Sequence, residues 1–193
     1  MTIVPTIGVF ALQGDVREHV RALEAVGARA VTVRRPRELE AVDGLVVPGG
    51  RVHHDVEARR DLRAARTRSG CGSRRAMPAY GSCAGMIMLA DRIEGGVEGQ
   101  QTIGGIDMVV RRNAFGRQVD SFEADIDFAG RGGMRAVFIR APWVESVGSE
   151  VEVLALAEPG IGSSRSAKDR CSPRPSTRNL PGMSVCIHIS LRW

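Results

Sequence analysis

The chain has 193 residues, 43% of them hydrophobic, which is enough for one domain with its own core. No apolar run approaches the ~20 residues of a membrane span, and no basic region precedes the first apolar segment, so neither a membrane anchor nor a signal peptide is expected. The net charge of +5 would suit a nucleic-acid ligand, but it is confined to two segments. Residues 51–76 hold eight Arg against three acids, residues 161–193 hold six Lys and Arg against one, and the rest holds thirteen against eighteen. The Arg-rich run 51–76 has no aromatic side chain on which a base could stack, and no nucleic-acid partner is expected. Cys71, Cys83, Cys171 and Cys186 form neither a C-x-x-C pair nor a zinc spacing, which fits a reducing cytoplasm.

In chain order, Ile7 to Leu12 is a short apolar run that ends at Gln13-Gly14-Asp15. It reads as a buried first strand and its turn. From Val16 to Val26 the apolar residues Val20, Leu23 and Val26 are separated by charges, the pattern of an amphipathic helix, which Gly27 closes. His19, beside Glu18, reads as a surface residue of that helix. A second strand follows at Ala30 to Val33. A third at Leu45 to Val47 runs into Pro48-Gly49-Gly50. Strands alternating with helices imply a parallel sheet covered on both faces. Ligands of such sheets bind beyond the carboxyl ends of the strands, where Gln13-Gly14, Gly49-Gly50 and Cys83 all fall.

Tyr80-Gly81-Ser82-Cys83-Ala84-Gly85-Met86 places one cysteine in a G-x-C-x-G frame before an apolar helical run that extends to Ala90. This is the nucleophile-elbow pattern with Cys in place of Ser. Gly81 and Gly85 are read as permitting a strained strand-to-helix turn that exposes the thiol at a helix N-terminus. There the helix dipole favours the attacking thiolate, and the Ala84 N–H faces the developing oxyanion. The competing reading is a buried, inert cysteine among small residues. Farther on, Gly104 to Arg111, Val119 to Glu123, Ala136 to Arg140 and Val151 to Ala157 read as strands, more antiparallel in character. No internal repeat or second domain is visible.

The strings Gly8-Val9-Phe10-Ala11-Leu12-Gln13-Gly14-Asp15, Leu45 to Gly50, the Cys83 elbow, Arg111-Arg112-Asn113-Ala114-Phe115-Gly116-Arg117-Gln118 through Glu123, and Phe138-Ile139-Arg140-Ala141-Pro142 resemble the glutaminase subunits of pyridoxal 5′-phosphate synthases, a family of class I glutamine amidotransferases. The resemblance spans residues 1–50 and 77–160. It implies a single domain over 1–193, an α/β/α three-layer sandwich with a flavodoxin-like mixed sheet. It also implies a hydrolase that converts L-glutamine to glutamate and ammonia through a Cys thioester. Ammonia then passes to the synthase subunit of a cytoplasmic hetero-oligomer that makes the vitamin B6 cofactor. By this resemblance Cys83 is the nucleophile, and Gly49, Gly50 and the Ala84 amide serve the oxyanion and substrate pocket. Arg112 holds the glutamine carboxylate, a job that suits a guanidinium fork, and Ile139 and Arg140 complete the pocket edge. No metal and no organic cofactor is implied. The plainer readings are a turn for Gly49-Gly50, a solvated charge for Arg112 and a surface ion pair for Arg140.

Two departures from the family coincide with the basic segments. The family follows its two glycines with E-S-T-T, whereas Arg51-Val52-His53-His54-Asp55 follows here. The family ends in an H-P-E motif that supplies the base and its orienting carboxylate, and residues 171–193 contain none, so the His and Glu of the triad are not identifiable. A Cys nucleophile without His loses its proton acceptor and later its proton donor. His53, His54 and His188 carry little weight as substitutes, and adjacent His side chains rarely reach one ion. Arg outnumbers Lys 26 to one, a sign of GC-rich coding. Residues 51–67 admit codons that, read one base later, give E-S-T-T-M-S-K-L-A-E-T-F-E-L-L-E. Residues 174–193, read two bases later, give S-F-H-P-E-S-A-G-D-E-R-V-H-P-H-F-V-E-V. Segments 51–76 and 161–193 therefore look frameshifted. The alternatives are a catalytically dead remnant that still docks on the synthase, a basic nucleic-acid binder, and another class I amidotransferase or elbow-Cys hydrolase.

Overall fold

The computed structural model describes residues 4–11, 14–50, 77–96, 100–112, 122–128, 133–138, 141–157, 178–179 and 184–186. The described residues fall into two units, one within Met1–Asp91 and Gly99–Ile106, the other within Arg92–Glu98 and Asp107–His188.

The first unit is built on a four-stranded parallel sheet. Its strands are Thr6–Phe10 (β1), Arg29–Val33 (β2), Gly44–Val47 (β3) and Ala79–Gly81 (β4), in the spatial order β2-β1-β3-β4. Ile7 pairs with Ala30 and Gly44, and Leu45 with Ala79. All four residues of β3 are buried, as are Val9, Phe10 and Val33. This is the continuous apolar pattern of a strand covered on both faces. Helix Val16–Ala25 (α1) joins β1 to β2. It ends in a Schellman motif: Gly27, at φ 83°, donates to Glu24 O (2.9 Å), and Ala28 donates to Leu23 O (3.0 Å). A short 3-10 helix at Pro36–Ala41 precedes β3. At its start the Glu38 carboxylate accepts the N–H groups of Arg34 (2.7 Å) and Arg35 (3.1 Å). Those two backbone hydrogen bonds hold the Glu38 pKa below its ordinary value. Helix Ala84–Leu89 (α2) follows β4, and all six of its residues are buried.

Around the second unit four strand pairings are antiparallel, as the sequence suggests for the middle of the chain. Strands Ala90–Glu94 (β5), Ile106–Arg111 (β6), Trp143–Val147 (β9) and Arg178–Asn179 (β11) form one sheet in the order β11-β9-β6-β5. Phe122–Asp127 (β7) pairs with Gly133–Phe138 (β8), and Ala155–Ala157 (β10) with Ser184–Cys186 (β12). In β6, Ile106, Met108 and Val110 are buried while Asp107 and Arg111 are exposed, a period of two. Ile126, Phe138 and Ala155 form a small core of their own.

Several elements differ from the sequence expectation. The elbow helix stops at Leu89, and Ala90 opens β5. The strand expected at 119–123 lies at Phe122–Asp127, and that expected at 136–140 lies at Gly133–Phe138. Strand β9 was not anticipated at all. Residues 51–76 and 161–177 lie outside the described residues, and with them His53, His54 and most of both basic segments; so do Gln13 and His188. No helix among the described residues is long and apolar enough to cross a membrane.

Candidate functional site

Three loops meet at the carboxyl ends of β1, β3 and β4. The first carries Gly14, the second Pro48-Gly49-Gly50 and the third Ser82-Cys83. Their approach is backbone to backbone. Gly14 and Gly50 take φ values of 76° and 111°. A Cβ on Gly14 would lie within van der Waals overlap of Gly49 O, and one on Gly50 would lie 2.7 Å from Gly14 Cα. Any side chain at either position would push these two loops apart.

Cys83 sits where β4 turns into α2. Its φ of 50° and ψ of −110° make it the one non-glycine residue with positive φ among the described residues. Such a conformation costs an ordinary residue ~1–3 kcal/mol and persists only where the surroundings enforce it. The enforcing contact is Gly85, whose Cβ position is 1.9 Å from Val47 O, so α2 lies directly on the carboxyl end of β3. Gly81 is tight in the same way, with its Cβ position 2.7 Å from the carbonyl of Gly85. The strain thus falls on Cys83 itself. Gly81 and Gly85 act by lacking a side chain, where the sequence suggested torsional freedom. The thiol is exposed, which removes the reading of Cys83 as a buried, inert cysteine.

The first turn of α2 leaves the Ala84 N–H without a hydrogen-bond partner among the described residues, while Gly85 N–H bonds Ser82 O (2.8 Å) and Met86 N–H bonds Cys83 O (3.1 Å). Gly49 stands against the cysteine: a Cβ there would lie 3.1 Å from Cys83 Cβ. Its N–H donates to Ser82 Oγ at 3.0 Å, so in this arrangement it is engaged inside the site. Ser82 Oγ is also 3.3 Å from His19 Nε2. The His19 ring lies edge-on to Tyr80, with centroids 6.4 Å apart.

His19 therefore corrects the sequence reading of a plain surface residue. It is half-buried, as are Val16, Val20 and Leu23. That spacing was the available signal, because positions i+3, i+4 and i+7 from Val16 share one face of a helix. Of the remaining candidates, Gly49, Gly50, Cys83 and Ala84 come together in the first unit. Arg112 belongs to the second unit. It is half-buried just past β6, and its N–H donates to Glu94 O at 2.9 Å. The neighbouring Arg111 is ion-paired to Glu145 (2.6 Å) and Glu94 (3.1 Å). Ile139 and Arg140 lie outside the described residues.

Comparison with known proteins bears on this arrangement. The sequence profile of the SNO glutamine amidotransferase family matches residues 9–169. The pyridoxal 5′-phosphate synthase subunit PdxT of Nocardioides sp. is 57% identical over 169 residues, covering 86% of this chain and 82% of the relative. The protein of the same name from Streptomyces avermitilis is 60% identical over 159 residues, covering 78% and 76%. Among solved structures, the crystal structure of a glutamine amidotransferase superposes with a TM-score of 0.67 at 44% identity, covering 77% of this chain and 78% of that one. PurLQS from Thermotoga maritima, at 17% identity and a TM-score of 0.54, covers 79% of this chain and 74% of its own and shares the fold.

Proposed function

The chain belongs to the SNO glutamine amidotransferase family, and from that premise we propose that it is the glutaminase subunit of a pyridoxal 5′-phosphate synthase. It hydrolyses L-glutamine to glutamate and ammonia and delivers the ammonia to a synthase subunit. The α/β fold of the class I glutamine amidotransferases supports this reading. The observation that carries it is Cys83, exposed and held at positive φ on the turn from β4 into α2.

In the proposed reaction the Cys83 thiolate attacks the side-chain amide carbon of glutamine. The carbonyl oxygen becomes an oxyanion, which the Ala84 N–H receives at the start of α2. Collapse of the tetrahedral intermediate expels the amide nitrogen as ammonia and leaves a thioester. Water then cleaves the thioester to glutamate and the free thiol. Gly49 and Gly50 form the wall facing Cys83, since any side chain at Gly49 would meet the cysteine. Arg112 binds the α-carboxylate, and Ile139 and Arg140 edge the pocket. The base that takes the thiol proton and returns it to the leaving nitrogen belongs to the H-P-E motif that the printed reading frame lacks. The chain works as one glutamine amidotransferase domain in the cytoplasm, without metal, organic cofactor or nucleic acid, and segments 51–76 and 161–193 are frameshifted relative to the family.

The test begins with the intact mass of the purified protein and the gene sequence across codons 50–77 and 160–193. Ammonia release from glutamine is then measured with the synthase subunit present, for the chain as printed, for a frame-restored chain and for its Cys83→Ser variant. The expected result is release by the restored chain, loss of at least ~10⁴-fold in the Ser variant, and none from the printed chain. No release from the restored chain, or release that survives Cys83→Ser, overturns the reading.

A further inference from the structure

One histidine, His19, is tied to the elbow by a contact that the reaction above does not use. Ser82 Oγ accepts the Gly49 N–H at 3.0 Å. The hydroxyl keeps one proton to give and a second lone pair to receive one, and His19 Nε2 lies 3.3 Å away, a contact that either imidazole tautomer satisfies. Tyr80 sits edge-on to the imidazole and limits its rotation. The chain His19–Ser82–Gly49 thus runs from α1, through the residue before the nucleophile, to the glycine whose Cα faces Cys83 Cβ. All of its members lie in the first unit.

We propose that His19 is a positioning residue for the glutaminase reaction: by holding the Ser82 hydroxyl it orients that oxygen toward the Gly49 N–H, and so fixes the loop wall opposite Cys83 from helix α1. The proposal rests on the glutaminase reading. Gly49 has no side chain, so the Pro48–Gly49 peptide, whose N–H meets Ser82 Oγ, runs into a residue with little torsional restraint of its own. The Ser82 hydroxyl supplies that restraint. His19 in turn keeps the hydroxyl from rotating toward water.

The test uses His19→Leu and Ser82→Ala, which break the relay. His19→Gln retains a side-chain hydrogen-bonding group, able to donate or accept, in place of Nε2, and Ser82→Thr retains the hydroxyl. The frame-restored chain with its synthase subunit is the host for kinetics. The breaking variants are expected to lower kcat about tenfold with KM unchanged within about twofold. That loss is smaller than the ~10²–10³ of deleting an oxyanion donor outright, because the effect is indirect and the 3.3 Å contact is long. The two conservative variants recover most of the rate, and His19→Leu adds little to Ser82→Ala, as members of one chain must. Independently of turnover, the Gly49 amide, followed by hydrogen exchange in ¹⁵N-glycine-labelled protein, should exchange about tenfold faster in Ser82→Ala and recover in Ser82→Thr. Unchanged or raised kcat in both breaking variants, multiplicative losses in the double variant, or unchanged Gly49 exchange overturns the proposal. A parent that releases no ammonia while Gly49 exchange still responds to Ser82→Ala would instead refute the glutaminase reading and leave the relay standing.

Discussion

Replacing Gly85 by alanine adds one methyl group where the structure leaves no room for it. The added Cβ would sit 1.9 Å from Val47 O, 2.8 Å from Val47 C and 3.1 Å from Pro48 O. Ordinary contact begins near 3.4 Å, so α2 must withdraw from the end of β3 by about 1.5 Å. All three atoms are backbone, two in the last residue of a strand whose four residues are buried and one in the residue after it, and none can swing aside. Overpacking of a close-packed core costs ~1–3 kcal/mol, and a clash this deep against main chain belongs at the top of that range. Alanine in a helix recovers about 1 kcal/mol of propensity. The expected net loss is therefore about 2 kcal/mol, or about 4–8 °C in Tm for a chain of this length. Urea unfolding followed by circular dichroism reads the loss directly. Gly133→Ala, where nothing lies within 4 Å of the added Cβ, is the control and should be neutral or slightly stabilising. Equal midpoints for Gly85→Ala and Gly133→Ala would refute the account of the elbow as a close approach of α2 to β3.

Two further outcomes follow from charge. The depressed pKa of Glu38 means that its stabilising contribution is present above its unfolded value of ~4.3 and is lost as pH falls through the folded pKa. Glu38→Gln should therefore lower Tm at pH 7, and the gap to the parent should narrow as pH falls below the unfolded value and close once pH is beneath the folded one; a gap that widens in acid would reverse the assignment. Arg112→Met should raise KM for glutamine about 10–100-fold with kcat changed only a few-fold, since a carboxylate contact serves ground and transition states alike. Arg112→Lys should fall between, and an unchanged KM in steady-state kinetics would remove Arg112 from the pocket.

What could be read from the sequence depended on how local the signal was. Three of the four parallel strands, β1, β2 and β3, announce themselves through short apolar runs, and α1 through a charged periodic stretch and Gly27, whereas β4 is the three residues Ala79-Tyr80-Gly81 with no apolar run to mark it. The elbow is equally local, because seven residues contain the whole of it. The end of α2 is not: Met86 through Ala90 is one apolar run, and nothing in its composition says that the backbone turns extended at Ala90, with ψ 143°. Strand β7 was misplaced for a different reason. Glu123, Asp125 and Asp127 are exposed while Ile126 is buried, so an alternating pattern existed, but acids are poor strand formers and masked it. Pairings such as Gly14 with Gly49, or His19 with Ser82, join residues far apart in the chain and leave no periodic mark. Only the half-buried stripe of α1 pointed toward His19.

The two halves of a thiol hydrolase site are specified by different stretches of chain, and this chain separates them. The nucleophile half draws on β1, β3, β4 and α2. The strain at Cys83, about 1–3 kcal/mol, is opposed by the burial of Met86, Ile87, Met88 and Leu89, each worth ~1.5–3 kcal/mol. That surplus keeps the thiol exposed whether or not a base stands beside it. In the proposed reaction the base half belongs to a terminal H-P-E motif, which residues 171–193 do not contain. On that reading, the displaced frame proposed for the tail removes proton transfer without removing the elbow. The printed chain should still alkylate at Cys83 with iodoacetamide while failing to turn over glutamine, and restoring the frame should restore turnover without altering α2.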